Sequence, residues 1–364
     1  MKVLLLLVYL NNYIHSRVMS KVRCDEIMKD QIIFMFSGQG SQFFQMGKEL
    51  YEQESIFKEN LDQLDATFQR ATGNSVIKYI YDEHRLKSDE FSDLFYTQPA
   101  IFMIEVALAN LLIKKGIRPH AVIGSSLGEY AAGVVANVFH QEDVLNSLID
   151  QVLFIKKFSQ PGGMIAILAS PSLYEEVPLL HHHSYLAAIN NESHFVIASN
   201  LEGVKKIEQY LRTKEITFLR LPVTFPFHSS YIDVAGKAIQ NRLSELHYQT
   251  PTIPFYSSVT GYRKENMNAT YFWEVLREPI RFTSALTEVV DHDGAILIDL
   301  GPSGTLANLA KAQFKQQNDL SIFSILSPYA DNVKALESVY SKLSIHDVGK
   351  SSKQKIQGVH GGRS

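Results

Sequence analysis

Cysteine is almost absent from the chain: 364 residues contain one, Cys24. A lone thiol excludes an internal disulfide and suits a reducing compartment, so a cytoplasmic location is expected. Charge of one sign is equally scarce. The 35 basic and 38 acidic residues leave a formal charge of −3, which removes the electrostatic footprint of a nucleic-acid partner. Membrane-length apolar runs are missing too: Val3–Leu10 is eight residues, far below the roughly 20 needed to span a bilayer. That run follows Lys2 and imitates the start of a signal peptide, but no A-x-A-like cleavage site follows it. Residues 1–28 therefore read as an extension or an over-long gene start, with Met19 and Met28 as alternative starts. No H-E-x-x-H and no C-x-x-C occurs, and no Gly-Lys-Ser/Thr follows the glycine loop at 37–42, which argues against a zinc hydrolase, a zinc ribbon or a phosphate cradle there.

What the chain does have is apolar mass, with 45% hydrophobic residues. That is enough for a soluble globular protein with one large domain and a smaller one. The stretch Ala121-Val-Ile-Gly-Ser-Ser-Leu-Gly-Glu-Tyr130 is a short apolar run breaking into Gly124-x-Ser126-x-Gly128 and then into helix. Only small residues two positions either side of Ser126 let a strand turn this sharply into a helix, and the turn holds the hydroxyl out at the positive helix end. The backbone N–H of Leu127 can then meet an oxyanion formed by Ser126 attack.

Upstream, Ile32–Phe36 reads as a buried parallel strand entering the loop Ser37-Gly-Gln-Gly-Ser-Gln42. Helical spacing covers 57–68, and Thr97-Gln-Pro-Ala100 opens a helix over 101–113 that is apolar nearly all round. Between 164 and 223 the pattern changes. A strand at 164–168, a helix at 172–180, strands at 185–189 and 195–199, a helix at 201–214 and a strand at 216–223 spell β-α-β-β-α-β, the ferredoxin-like unit. The expected fold is α/β, a large hydrolase-like domain with a parallel sheet (29–160 and 224–345) carrying an inserted ferredoxin-like domain at 161–223. A polar tail at 346–364 is expected to be disordered.

A serine needs a base within hydrogen-bond reach. His228, in Pro226-Phe-His-Ser-Ser230, is the best candidate. His194 and His292 read as surface or core-edge residues, and His181-His-His183 as a solvated loop.

Four segments, Gly38-Gln-Gly-Ser-Gln42, Thr97-Gln-Pro-Ala100, Gly124-Ser-Ser-Leu-Gly-Glu129 and Pro226-Phe-His228, together resemble the malonyl-CoA:acyl-carrier-protein transacylases and polyketide synthase acyltransferase domains. The likeness runs over about 30–340, in the family's order. It implies Ser126 as acyl-bearing nucleophile, His228 as base, an oxyanion hole from the N–H groups of Gln39 and Leu127, and the Val275 carbonyl as orienter of the histidine. Asn190 and Phe227 would line the cleft. It further implies a monomer, no cofactor beyond the phosphopantetheine that an acyl carrier protein brings, and acyl thioesters as substrates.

Two positions depart from the family pattern. Ser125 stands where the family usually has histidine, and Gln151 where malonyl-specific members carry an arginine for the free carboxylate. No arginine occurs between Arg118 and Arg212. Losing a charged bidentate partner for a buried carboxylate costs on the order of 2–5 kcal/mol, and Lys156 and Lys157 are poorer substitutes. This pattern resembles the free-standing acyl hydrolases of trans-acyltransferase polyketide pathways, which clear stalled acyl groups, often acetyl, from carrier proteins. A malonyl transacylase, a catalytically silent carrier-protein docking subunit and an ordinary α/β-hydrolase with Asp299 as triad acid are the alternatives.

Overall fold

The computed structural model describes residues 31–290, 294–317 and 319–343. The expectations for 1–28, 346–364 and His292 lie outside the described residues. In chain order the strands are β1 (Gln31–Phe36), β2 (Ala121–Gly124), β3 (Gly162–Ile167), β4 (Tyr185–Asn191), β5 (His194–Asn200), β6 (Phe218–Arg220), β7 (Phe255–Tyr256), β8 (Arg263–Lys264), β9 (Ala295–Asp299) and β10 (Leu320–Ser324).

Six of them form a sheet in the order β10-β9-β1-β2-β7-β8, parallel except at the β7–β8 hairpin. The continuous apolar runs of β1, β2 and β9 fit this arrangement, because a central parallel strand is covered on both faces. Phe34 and Phe36 join the larger core, while Ile33 and Met35 face a second layer with Leu286 and Leu306.

Beneath the larger face lies the helix Leu94–Lys114, buried along most of its length. It starts three residues before the predicted Thr97, because the Asp93 side chain accepts from the Phe95 N–H and caps it there. Pro99 falls in its second turn. By length and composition this helix would suffice to cross a membrane, yet 83% of its apolar window is buried inside the protein.

The second sheet uses residues 162–220 alone, in the order β4-β5-β3-β6 with every pair antiparallel. This is the ferredoxin-like strand order expected from the sequence. One face is closed by the helix Leu201–Thr213, whose Val204, Ile207 and Leu211 pack on Ile165, Ile167, Phe195 and Ile197. The helix predicted over 172–180 is two short ones, Ser172–Glu176 and Pro178–His183. Pro178 pushes Val177 into an extended conformation between them. The three histidines at 181–183 therefore close a helix and are not a solvated loop; His181 Nδ1 lies 3.1 Å from the Tyr174 carbonyl. The strand predicted over 216–223 is regular only at Phe218–Arg220, with one further backbone bond to β3 or its continuation on each side, Leu168 N–H to the Thr217 carbonyl and Leu221 N–H to the Met164 carbonyl (both 2.9 Å).

Candidate active site

The turn from β2 into the helix Gly128–Val135 holds Ser126 at φ 53°. Left-handed backbone is rare for a residue with a Cβ and marks stored strain. The flanking glycines make the turn possible. A Cβ on Gly124 would lie 2.4 Å from the Glu129 backbone nitrogen, and one on Gly128 only 2.1 Å from the Phe36 carbonyl oxygen. The reading of the elbow as a space requirement therefore holds at both positions.

His228 also has a positive φ, 58°. It is buried, and its Nε2 lies 2.8 Å from Ser126 Oγ although 102 residues separate the two. Its Nδ1 lies 2.8 Å from the backbone carbonyl of Glu278. A carbonyl only accepts, so Nδ1 carries the proton and Nε2 is left to receive the serine hydroxyl. Burial pushes the ring's pKa down from 6.5 to about 4, against a smaller opposing pull from the Glu278 carbonyl. His228 is thus neutral, as a base must be.

The orienting carbonyl is that of Glu278, which corrects the expectation of Val275. The helix Ala269–Arg277 ends just before Glu278, and Pro279 forces Glu278 into an extended conformation, ψ 156°. Its carbonyl leaves the helix axis and faces the imidazole; Val275 is still helical. Asp299 takes no part in a triad. Its oxygens accept from the N–H groups of Gly301 (2.9 Å) and Ala307 (2.8 Å), at the start of the helix Thr305–Gln313.

Two N–H groups suited to an oxyanion, those of Gln39 and Leu127, belong to residues lining the same cleft as the dyad, and neither has an acceptor among the described residues. The Gln39 loop is fixed from the side. Gln39 Nε2 donates to Thr97 Oγ1 (3.0 Å), Gln98 Nε2 donates to Gln39 Oε1 (3.2 Å), and Glu105 accepts from the Ser37 N–H at 2.6 Å. This is why Thr97-Gln-Pro-Ala100 accompanies the glycine loop: its polar side chains hold that loop over the elbow.

A buried carboxylate that the sequence reading quoted within its motif without a role, Glu129, stands behind the nucleophile. Glu129 accepts from the Ser258 N–H (2.8 Å), from Ser258 Oγ (2.6 Å) and from the Tyr271 hydroxyl. Ser258 Oγ in turn accepts from the Ser126 N–H at 3.3 Å. Burial pushes Glu129 up to about 7 against the opposing effect of these donors. Because Tyr271 rides on the helix leading to Glu278, one side chain ties together the supports of both dyad members.

The cleft has a volume of about 400 Å³. Ser125, Asn190 and Phe227 line it as expected. Gln151 does not, which corrects its placement at the acyl group: it is buried, its Oε1 accepts from the Tyr130 hydroxyl (3.2 Å) and its Nε2 donates to Ser147 Oγ (3.3 Å). Lys156 pairs with Asp93 (3.2 Å), and neither it nor Lys157 reaches the cleft. No Lys or Arg is among the cleft-lining residues. His194, read as peripheral, does line the cleft, with its pKa lowered by burial and with the Asn190 amide nitrogen 3.3 Å from Nε2. The open face of the small sheet supplies the rest of the wall through Met164, Ala166, Val196 and Leu221. A sequence signal for that wall existed. Gly162–Leu168 is apolar at every position instead of alternating, and an antiparallel strand reads that way only when both faces are in use.

The acyl transferase domain model matches residues 33–352. The polyketide biosynthesis acyltransferase homolog BaeD of Bacillus velezensis is 42% identical over 312 residues, spanning 86% of this chain and 96% of that protein. Among solved structures, the acyltransferase domain from the second module of the salinomycin polyketide synthase superposes with a TM-score of 0.76 at 27% identity, over 88% of this chain and 75% of that one. The malonyl CoA-acyl carrier protein transacylase from Clostridium perfringens shares the fold, with a TM-score of 0.73 at 23% identity over 86% of this chain and 97% of that one.

Proposed function

The chain belongs to the acyl transferase domain family, and from that premise we propose that it hydrolyses uncharged acyl groups, acetyl among them, from an acyl carrier protein of polyketide biosynthesis. Ser126 Oγ attacks the thioester carbonyl while His228 Nε2 takes its proton. The oxyanion forms against the N–H groups of Gln39 and Leu127. Collapse breaks the carbon–sulfur bond, and the proton on His228 passes to the departing phosphopantetheine thiol. Water then loses a proton to His228 as it attacks the acyl-serine ester, and the acid leaves as Ser126 Oγ is reprotonated.

The observation that carries the substrate class is the cleft's composition: a complete Ser–His pair faces an apolar wall without a cationic side chain. A malonyl carboxylate buried there would lack a charged partner, at a cost of several kcal/mol. Hydrolysis as the fate of the acyl-enzyme rests on the resemblance of Gly124-Ser-Ser-Leu-Gly-Glu129, with glutamine at 151, to the free-standing acyl hydrolases; the 42% identity to a polyketide biosynthesis acyltransferase homolog supports the pathway.

Intact-mass spectrometry of the protein with acetyl-carrier protein and, separately, with malonyl-CoA tests the reading, with Ser126→Ala as control. Deacylation of the carrier without a long-lived malonyl-enzyme is the expected result. Malonyl-Ser126 that persists and passes to fresh carrier protein would replace hydrolysis by transfer, and no acylation from any thioester would leave only a docking role.

A further inference from the structure

The small sheet presents an apolar strip that begins beside the dyad and runs out into solvent. Gly162, where β3 starts, donates its N–H to the Thr224 carbonyl (2.9 Å), next to the Pro226-Phe-His228 segment. From there the cleft-facing residues of β3 and its continuation are Met164, Ala166 and Leu168. At about 3.4 Å per residue, Leu168 lies about 14 Å beyond Met164. On the neighbouring edge strand β6, Leu219 pairs with Ala166 in register. Met164 and Ala166 are buried, whereas Leu168 is 54% and Leu219 64% exposed, although both still line the cleft. Two large aliphatic side chains thus stand more than half exposed at the open end of a continuous apolar wall.

We propose that this strip is an acyl-chain subsite, and that the enzyme's substrates include unbranched aliphatic acyl groups long enough to run from Ser126 along β3 to Leu168 and Leu219. The inference rests on the acyl-thioester reading of the site. It commits to an aliphatic chain because from Met164 to Leu168 the wall on β3 and β6 offers only aliphatic side chains, with Asn190 and His194 on the other two strands.

The test is kcat/KM for carrier-protein thioesters from acetyl to octanoyl, with wild type and with Leu219→Asn and Leu168→Asn. Each added pair of methylenes should raise kcat/KM by about tenfold until the strip is filled. Either variant, both at exposed positions that the fold tolerates, should lower the octanoyl-to-acetyl ratio by about tenfold. A flat or falling chain-length profile in the wild type overturns the subsite. So does an equal loss at every chain length in the variants, because the lip would then touch the carrier arm common to all substrates. Acylation of Ser126 by the acetyl thioester is read in the same samples, so a failure of the acyl-thioester reading itself shows as absent acyl-enzyme at every length.

Discussion

Acidity is the perturbation that probes the dyad most directly. The fall in the His228 pKa from 6.5 to about 4 corresponds to roughly 3 kcal/mol held against protonating the ring. At pH 5.5 an ordinary histidine would be about 90% protonated and useless as a base, whereas His228, held far below 6.5 by burial, stays mostly neutral. The rate of Ser126 acylation by an acetyl thioester, followed by rapid-quench mass spectrometry between pH 4 and 8, should therefore stay within a factor of about two down to pH 5 and fall only near 4. Glu129, held at about 7, titrates inside this range but touches Ser258 and Tyr271 and not the reacting atoms. Any shallow inflection near 7 should vanish in Glu129→Gln, while the limb near 4 persists. An acid limb at 6.5 in both proteins would refute the argument, since it would mean that His228 is hydrated and that the enclosed geometry is not the working one.

Stability gives a second test of Glu129. Its carboxyl is raised from 4.5 to about 7, so the folded state binds the extra proton. The contribution is fully present below 4.5 and is lost as pH rises through 7, by about 3 kcal/mol. Urea melts of Glu129→Gln across this window should lack that part of the decline. Gly128→Ala places a methyl group 2.1 Å from the Phe36 carbonyl oxygen and should separate the elbow from β1, costing roughly 1–3 kcal/mol or more with a matching drop in Tm and a large loss of acylation. Gln151→Leu removes hydrogen bonds with Tyr130 and Ser147 and should cost about 1 kcal/mol in stability. Because Gln151 does not line the cleft, its acetyl-to-malonyl selectivity by competition assay should not move; a change above threefold would return Gln151 to the acyl site.

The features set by the sequence alone are those whose cause is local. Glycines at 124 and 128 around Ser126 are required by backbone contact within one strand-turn-helix, so the elbow was legible from spacing. The apolar runs of β1, β2 and β9 identify buried parallel strands because both faces of such strands need covering, and β-α-β-β-α-β order within 164–223 gave the inserted sheet. Tertiary structure decided everything that depends on which distant group a side chain or carbonyl finally meets. The 2.8 Å pairing of Ser126 with His228 crosses 102 residues. Pro279, and not the likeness to relatives, selects the Glu278 carbonyl over that of Val275. Gln151 stands where the resemblance implies an arginine, but its amide is captured by Tyr130 and Ser147, because a buried polar group takes the partners within reach. His194 enters the cleft only because β5 lies between β4 and β3, and Glu129 braces the site only because Ser258 and Tyr271 fold back over it.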